Sequence, residues 1–130
     1  MTVPGLQALA ILAGGAAGAL VRAGVGEALP REPGQWPWAT FTVNLAGALV
    51  LAWASTRLTE MVAPTRYWRF LLGVGFCGAL TTFSTFQVET IALAKDGHPG
   101  LATGYAVVSL AAGMLVAVGA TVVARRRRYG

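Results

Sequence analysis

Gly73-Val74-Gly75-Phe76-Cys77-Gly78-Ala79-Leu80-Thr81-Thr82-Phe83-Ser84-Thr85-Phe86 lies inside a run, residues 70–88, that carries no charge. Four hydroxyl side chains, a pair of phenyl rings at positions 83 and 86, and glycines at 73, 75 and 78 make a poor lipid-facing helix. Three of the four hydroxyl residues are β-branched, which stiffens their packing and lowers their helix preference. Irregular backbone at membrane depth persists only where protein covers it or where it lines a wet cavity. Interrupted helices recur where transporters and channels hold ions. This stretch is the expected functional centre.

The surrounding sequence says which solvent the chain meets. Four stretches are long and nearly free of charge: Met1 to Val21, Pro33 to Thr56, Phe70 to Val88 and Gly97 to Ala124. Each reaches the roughly 20 residues that a helix needs to cross a bilayer. The 130 residues are 55% hydrophobic, with a mean hydropathy of +0.62. Soluble domains of this size do not carry four such runs. The expected fold is an all-α membrane protein, one domain over residues 1–130. Judged against bilayer thickness, its helices fall at about 5–26, 37–57, 67–94 and 100–124, the third interrupted near 78–85 at mid-membrane. The first run reads as a span rather than a secretory leader. No basic residue precedes its apolar segment, which exceeds the usual roughly 7–15 residues.

The spans contain few polar groups, and each has a packing reading beside a functional one. Gly14, Gly18 and Arg22 are four apart and share a helix face. The glycines fit close contact with another backbone. Arg22 either snorkels to headgroups or faces a wet vestibule. Trp36, Trp38, Tyr67 and Trp68 fit the interfacial aromatic belt. Asn44 cannot face lipid with its amide unpaired, so it bonds to another helix or lines a pore. Arg57, Glu60, Pro64, Arg66 and Arg69 mark a second loop, and 95–100 a third. Glu89 fits a pore contact or a structural hydrogen bond. Tyr105, Ser109 and Gly113 share a face, where the hydroxyls form a donor track or bond preceding carbonyls. Cys77 is expected as a small hydrophobe and His98 as a surface histidine. The net charge of +5 does not point to nucleic acid. Four of the ten basic residues are Arg125 to Arg128, expected to anchor a helix end to lipid headgroups.

The pattern excludes most enzymology. No span holds paired carboxylates, and there is no metal-ligand cluster, nucleophile–histidine pair or phosphate-cradling glycine loop. What remains is a set of neutral donors: Asn44, Thr81, Thr82, Ser84, Thr85, Tyr105 and Ser109, beside Phe83 and Phe86. Neutral donors suit an anion that must shed water without being trapped, since conduction requires release as well as binding. The edge of a phenyl ring is electropositive and can face an anion from an apolar wall. Four short spans hardly enclose a pore alone. An oligomer is implied.

Thr81-Thr82-Phe83-Ser84-Thr85-Phe86, preceded by Gly75-Phe76-Cys77-Gly78, resembles the signature of the Fluc (CrcB) fluoride channels. Gly14-Gly15-x-x-Gly18-Ala19-x-x-Arg22 and Thr42-Val43-Asn44-Leu45-x-Gly47 extend the resemblance over essentially the whole chain. The resemblance implies an antiparallel, dual-topology dimer of four-helix subunits in a prokaryotic cytoplasmic membrane, with two pores that export fluoride passively. It also implies roles. Phe83 and Phe86 present ring edges to fluoride, and Asn44 donates its amide hydrogens. Ser84 and Thr85 belong to the same segment, Tyr105 and Ser109 begin a polar track, and Arg22 lines a vestibule. A structural Na+ at the dimer centre is held by backbone carbonyls mapping to Gly78 and Thr81. Gly113 stands where many relatives carry a further hydroxyl.

A small multidrug exporter, also built of four short spans, is the alternative. Its proton coupling needs a carboxylate deep in the first span, and Met1 to Val21 has none. Charge bears on orientation. Arg57, Arg66, Arg69 and Arg125 to Arg128 fall on the side of the termini; Arg22, Arg31 and Lys95 fall on the other. That bias favours cytoplasmic termini. It leaves open a homodimer with weak insertion bias or a heterodimer with an oppositely biased homologous subunit.

Overall fold

The computed structural model describes residues 3–60 and 66–129, and its regular structure there is entirely helical. Helix α1 spans Val3–Ala28 and α2 spans Trp38–Glu60. Helix α3 covers 66–80: a turn Arg66–Trp68, a π-helical stretch Arg69–Cys77 and a last turn Gly78–Leu80. Helix α4 spans Phe83–Lys95 and α5 spans Pro99–Tyr129. Four segments are long and apolar enough to cross a membrane: Pro4–Ala28, Trp38–Arg57, Arg69–Lys95 and Pro99–Arg126. Pro64, expected in the second loop, lies outside the described residues.

Two local differences from the sequence expectation have physical causes. The last helix does not stop at Ala124. Arginine is a good helix former, so Arg125 to Arg128 continue the helix rather than end it. The irregularity expected near 78–85 is also redistributed. Only Thr81 (φ −81°, ψ 153°) and Thr82 (φ −147°, ψ 115°) are extended. Ser84 and Thr85 lie in the first turn of α4, where the Thr82 hydroxyl accepts the Thr85 N–H at 3.2 Å. That is N-cap chemistry, and it restarts the helix immediately. The π-helical winding of 69–77 had no sequence expectation at all.

Backbone contact explains why α1 and α3 pack so closely. A Cβ on Gly14 would run into the Leu71 carbonyl, and one on Gly18 into the Phe76 carbonyl. From the other side, a Cβ on Gly75 would sit 2.6 Å from the Ile11 carbonyl oxygen. Glycine is what lets the two backbones approach this far. Helix α2 packs on α3 along one flank and on α5 along another, while α4 packs on α5.

The turn into α5 is also legible in chemistry. Gly97 takes φ +87°, His98 N–H donates to the Leu93 carbonyl at 2.9 Å, and Gly97 N–H donates to Ala94. These two bonds form a Schellman motif, which needs a left-handed residue at that position. Pro99 then opens α5, where its missing N–H costs nothing. Leu93, Ala102 and Tyr105 form a core between α4 and α5, with Trp36, Phe41, Phe86 and Leu101 packed around it. Elsewhere burial is sparse, only 6–22% of each spanning window. Most of each span faces lipid or another chain.

Candidate functional site

The extended pair Thr81–Thr82 opens a groove of about 440 Å³ between α2, the 66–95 segment and α5. Asn44, Thr81, Thr82, Phe83, Phe86, Ser109 and Gly113 line it, together with Phe41, Gly47, Cys77 and Gly78. None of its lining residues carries a formal charge.

Asn44 is fixed by the break itself. Its Nδ2 donates to the Thr82 carbonyl at 3.1 Å, and its Oδ1 accepts the Thr82 N–H at 2.8 Å. The side chain thus completes one extended peptide group in the way a neighbouring β-strand would. One of its two amide hydrogens is used in this pairing. The Thr81 hydroxyl donates backwards to the Cys77 carbonyl at 2.8 Å. Gly47 makes room for the Thr81 methyl, which a Cβ at position 47 would strike.

The rings form a second element. Phe83 and Phe86 stack at 6.0 Å with 25° between their planes, and Phe86 leans on Tyr105 at 5.0 Å. Phe83 is 68% exposed within this single chain, too apolar a surface to be left to water. Tyr105 is wholly buried and donates its hydroxyl to Glu89 at 3.3 Å. This satisfies a carboxylate that is itself buried. Ser109 completes the set: the residue lines the groove, and its Oγ is buried with no hydrogen-bond partner among the described residues.

The structure therefore gathers Asn44, Phe83, Phe86 and Ser109 around one space, with Thr81 and Gly78 on its wall. Tyr105 stands behind Phe86 rather than on the lining. Ser84 and Thr85 are exposed on the first turn of α4, off the groove. Arg22 is exposed near the end of α1, also off it. Sequence reasoning did not single out Phe41, which lies three residues before Asn44. Three-residue spacing was the available signal.

Among the described residues no three His, Cys, Asp or Glu side chains gather to hold a metal ion. Carbonyls are the other oxygen source. The Thr82 N–H goes to Asn44 instead of to Gly78, so the Gly78 carbonyl lacks the donor that continued helix would supply.

Residues 9–121 match the family described as CrcB-like protein, Camphor Resistance (CrcB). The chain is 51% identical to the fluoride-specific ion channel FluC 1 of Mycobacterium bovis, over 92% of this chain and 90% of that relative. The protein of the same name from Mycobacterium tuberculosis gives the same identity and coverage. That of Mycolicibacterium paratuberculosis is 50% identical over the same shares of both chains.

Proposed function

The chain belongs to the CrcB family, and from that premise we propose that it is a fluoride-selective channel that lets the ion cross the membrane passively. It is a multi-pass membrane protein, with four helices suited to spanning. The observation that carries the reading is the uncharged groove in which an asparagine amide and a free serine hydroxyl meet two phenyl rings. Donors without a fixed cation bind an anion weakly enough to release it. The groove is no multidrug exporter's: the relatives are named as fluoride channels, and the first span lacks the carboxylate that proton coupling requires.

The remaining assignments rest on this reading. Asn44 offers its second amide hydrogen, Ser109 its hydroxyl, and Phe83 and Phe86 their ring edges. Tyr105 steadies Phe86 from behind. Ser84, Thr85 and Arg22, off the groove in one subunit, serve the approaches to the path. The third span is broken at mid-membrane, supported by the extended dihedrals of Thr81 and Thr82. Two copies associate in opposite orientation in a prokaryotic cytoplasmic membrane, supported by the exposure of Phe83 and the sparse burial of the spans. The partner is a second copy or a homologous chain. The Gly78 and Thr81 carbonyls fit a hard monovalent cation, which takes oxygen ligands at a helix break. When bound, Na+ would supply fixed positive charge that ties the subunits together.

Purified protein in liposomes tests the function. Fluoride efflux under a potassium/valinomycin clamp, measured with a fluoride electrode, is expected to be rapid, independent of a proton gradient and strongly selective over chloride. Equal chloride flux, or none of either ion, would remove the proposal. Replacing sodium with N-methylglucamine throughout should lower efflux and loosen the dimer; unchanged behaviour would exclude a required cation.

A further inference from the structure

Trp36 lies just before α2, in a segment where tryptophan suits the membrane–water interface. An interfacial indole keeps its N–H in the wet headgroup layer. Trp36 does not: its Nε1 is buried and has no hydrogen-bond partner among the described residues. Trp38, by contrast, is exposed. The Trp36 ring is held edge-on against Phe41 at 5.5 Å and against Tyr105 at 5.4 Å. Phe41 lines the groove, and Tyr105 leans on Phe86, which also lines it. The indole is therefore joined to Phe83 by an unbroken row of rings through Tyr105 and Phe86.

An indole N–H donates and cannot accept. Left unpaired in the interior, it forfeits a hydrogen bond it would make in water, so such a group calls for a partner. Buried water is held by about 2–4 polar neighbours. The ring contacts of Trp36 are Trp38, Phe41 and Tyr105, and the residue packs against the core of Leu93 and Ala102. A small anion needs only donors and ring edges, and those are what the position supplies.

We infer that the Trp36 indole N–H is a further anion donor, which takes fluoride behind the Phe41 and Phe86 wall of the groove and passes it toward the interface. The inference rests on the fluoride-channel reading. It predicts that removing one N–H, without changing shape, slows permeation.

The test replaces Trp36 with 3-benzothienylalanine, in which sulfur stands where the indole carries N–H, and compares it with Trp36→Phe. Both should assemble like the unmodified protein on size exclusion and lower fluoride efflux about tenfold, the loss of one hydrogen bond to a charged group. Trp38→Phe should leave efflux unchanged. In indole-15N-labelled protein, the resonance missing from Trp36→Phe should move on adding sodium fluoride and stay still with sodium chloride. If the unmodified channel conducts while the benzothienyl protein matches it, the donor role is overturned and the channel reading stands. An unmodified protein that conducts no fluoride would overturn both.

Discussion

The carboxamide of Asn44 and the backbone N–H and carbonyl of Thr82 satisfy each other at both ends, at 3.1 and 2.8 Å, across the gap between α2 and the segment 66–95. One side chain thereby stands in for a missing strand. The same residue lines the groove, so the bond that holds the extended pair and the proposed path meet at Asn44.

Asn44→Ala should therefore cost stability as well as flux. It leaves the buried Thr82 N–H and carbonyl unpaired, at about 1–3 kcal/mol for each. Asn44→Asp keeps an acceptor for the Thr82 N–H but loses the donor and sets a negative charge before an anion. Thermal unfolding in detergent should show a larger drop for the alanine variant. Fluoride efflux should be abolished in the aspartate variant.

Ser109→Ala separates the two properties in the opposite sense. The hydroxyl has no partner among the described residues, so its removal breaks no hydrogen bond there. The melting temperature should stay level or rise, while efflux falls by about tenfold for one donor lost to the ion. A parallel fall in both would show that Ser109 is structural.

Phe83 and Phe86 differ in what stands behind them. Phe83 is exposed in the single chain, whereas Phe86 rests on Tyr105. Both Phe83→Ile and Phe86→Ile remove an electropositive edge and should reduce efflux sharply. Phe86→Ile should also loosen the fold more, since it breaks the pairs with both Phe83 and Tyr105 at about 0.5–1.5 kcal/mol each, whereas Phe83→Ile breaks only the first. Efflux and chemical unfolding of the same preparations check this together.

Two glycines in the spans should respond in opposite ways to a side chain. Gly18→Ala drives a methyl into the Phe76 carbonyl, which is backbone and cannot rotate away, so assembly should fail. Gly113 has no atom within 4 Å of an added Cβ and lines the groove. Gly113→Ser should assemble normally and carry fluoride at least as fast as the unmodified protein. Size exclusion followed by efflux measurements reads both outcomes.

The four spans were legible because charge-free length is a direct report on the bilayer. Helix ends were less so, since Arg125 to Arg128 mark where lipid stops and not where the helix does. The hydroxyl cluster at 81–85 announced an irregular region. It could not show that Thr81 and Thr82 alone leave the helix, because that depends on Asn44, 38 residues away, accepting the Thr82 amide. The π-helical winding of 69–77 was invisible for the same reason: it accompanies close backbone contact with α1 rather than any local propensity. Trp36 read as a belt residue because nothing in its sequence neighbours reveals Tyr105, far along the chain, against its ring.

The contact between α1 and the π-helical stretch has a mechanical consequence. Where Gly14, Gly18 and Gly75 meet carbonyls, there are no rotamers to rearrange, so that seam transmits displacement almost without give. Residues 66–80 thus ride with α1, while α4 rides with α5. Thr81 and Thr82 join these two blocks, and the Asn44 carboxamide is bonded to the join, so a displacement of one block against the other would bear on that pair of hydrogen bonds.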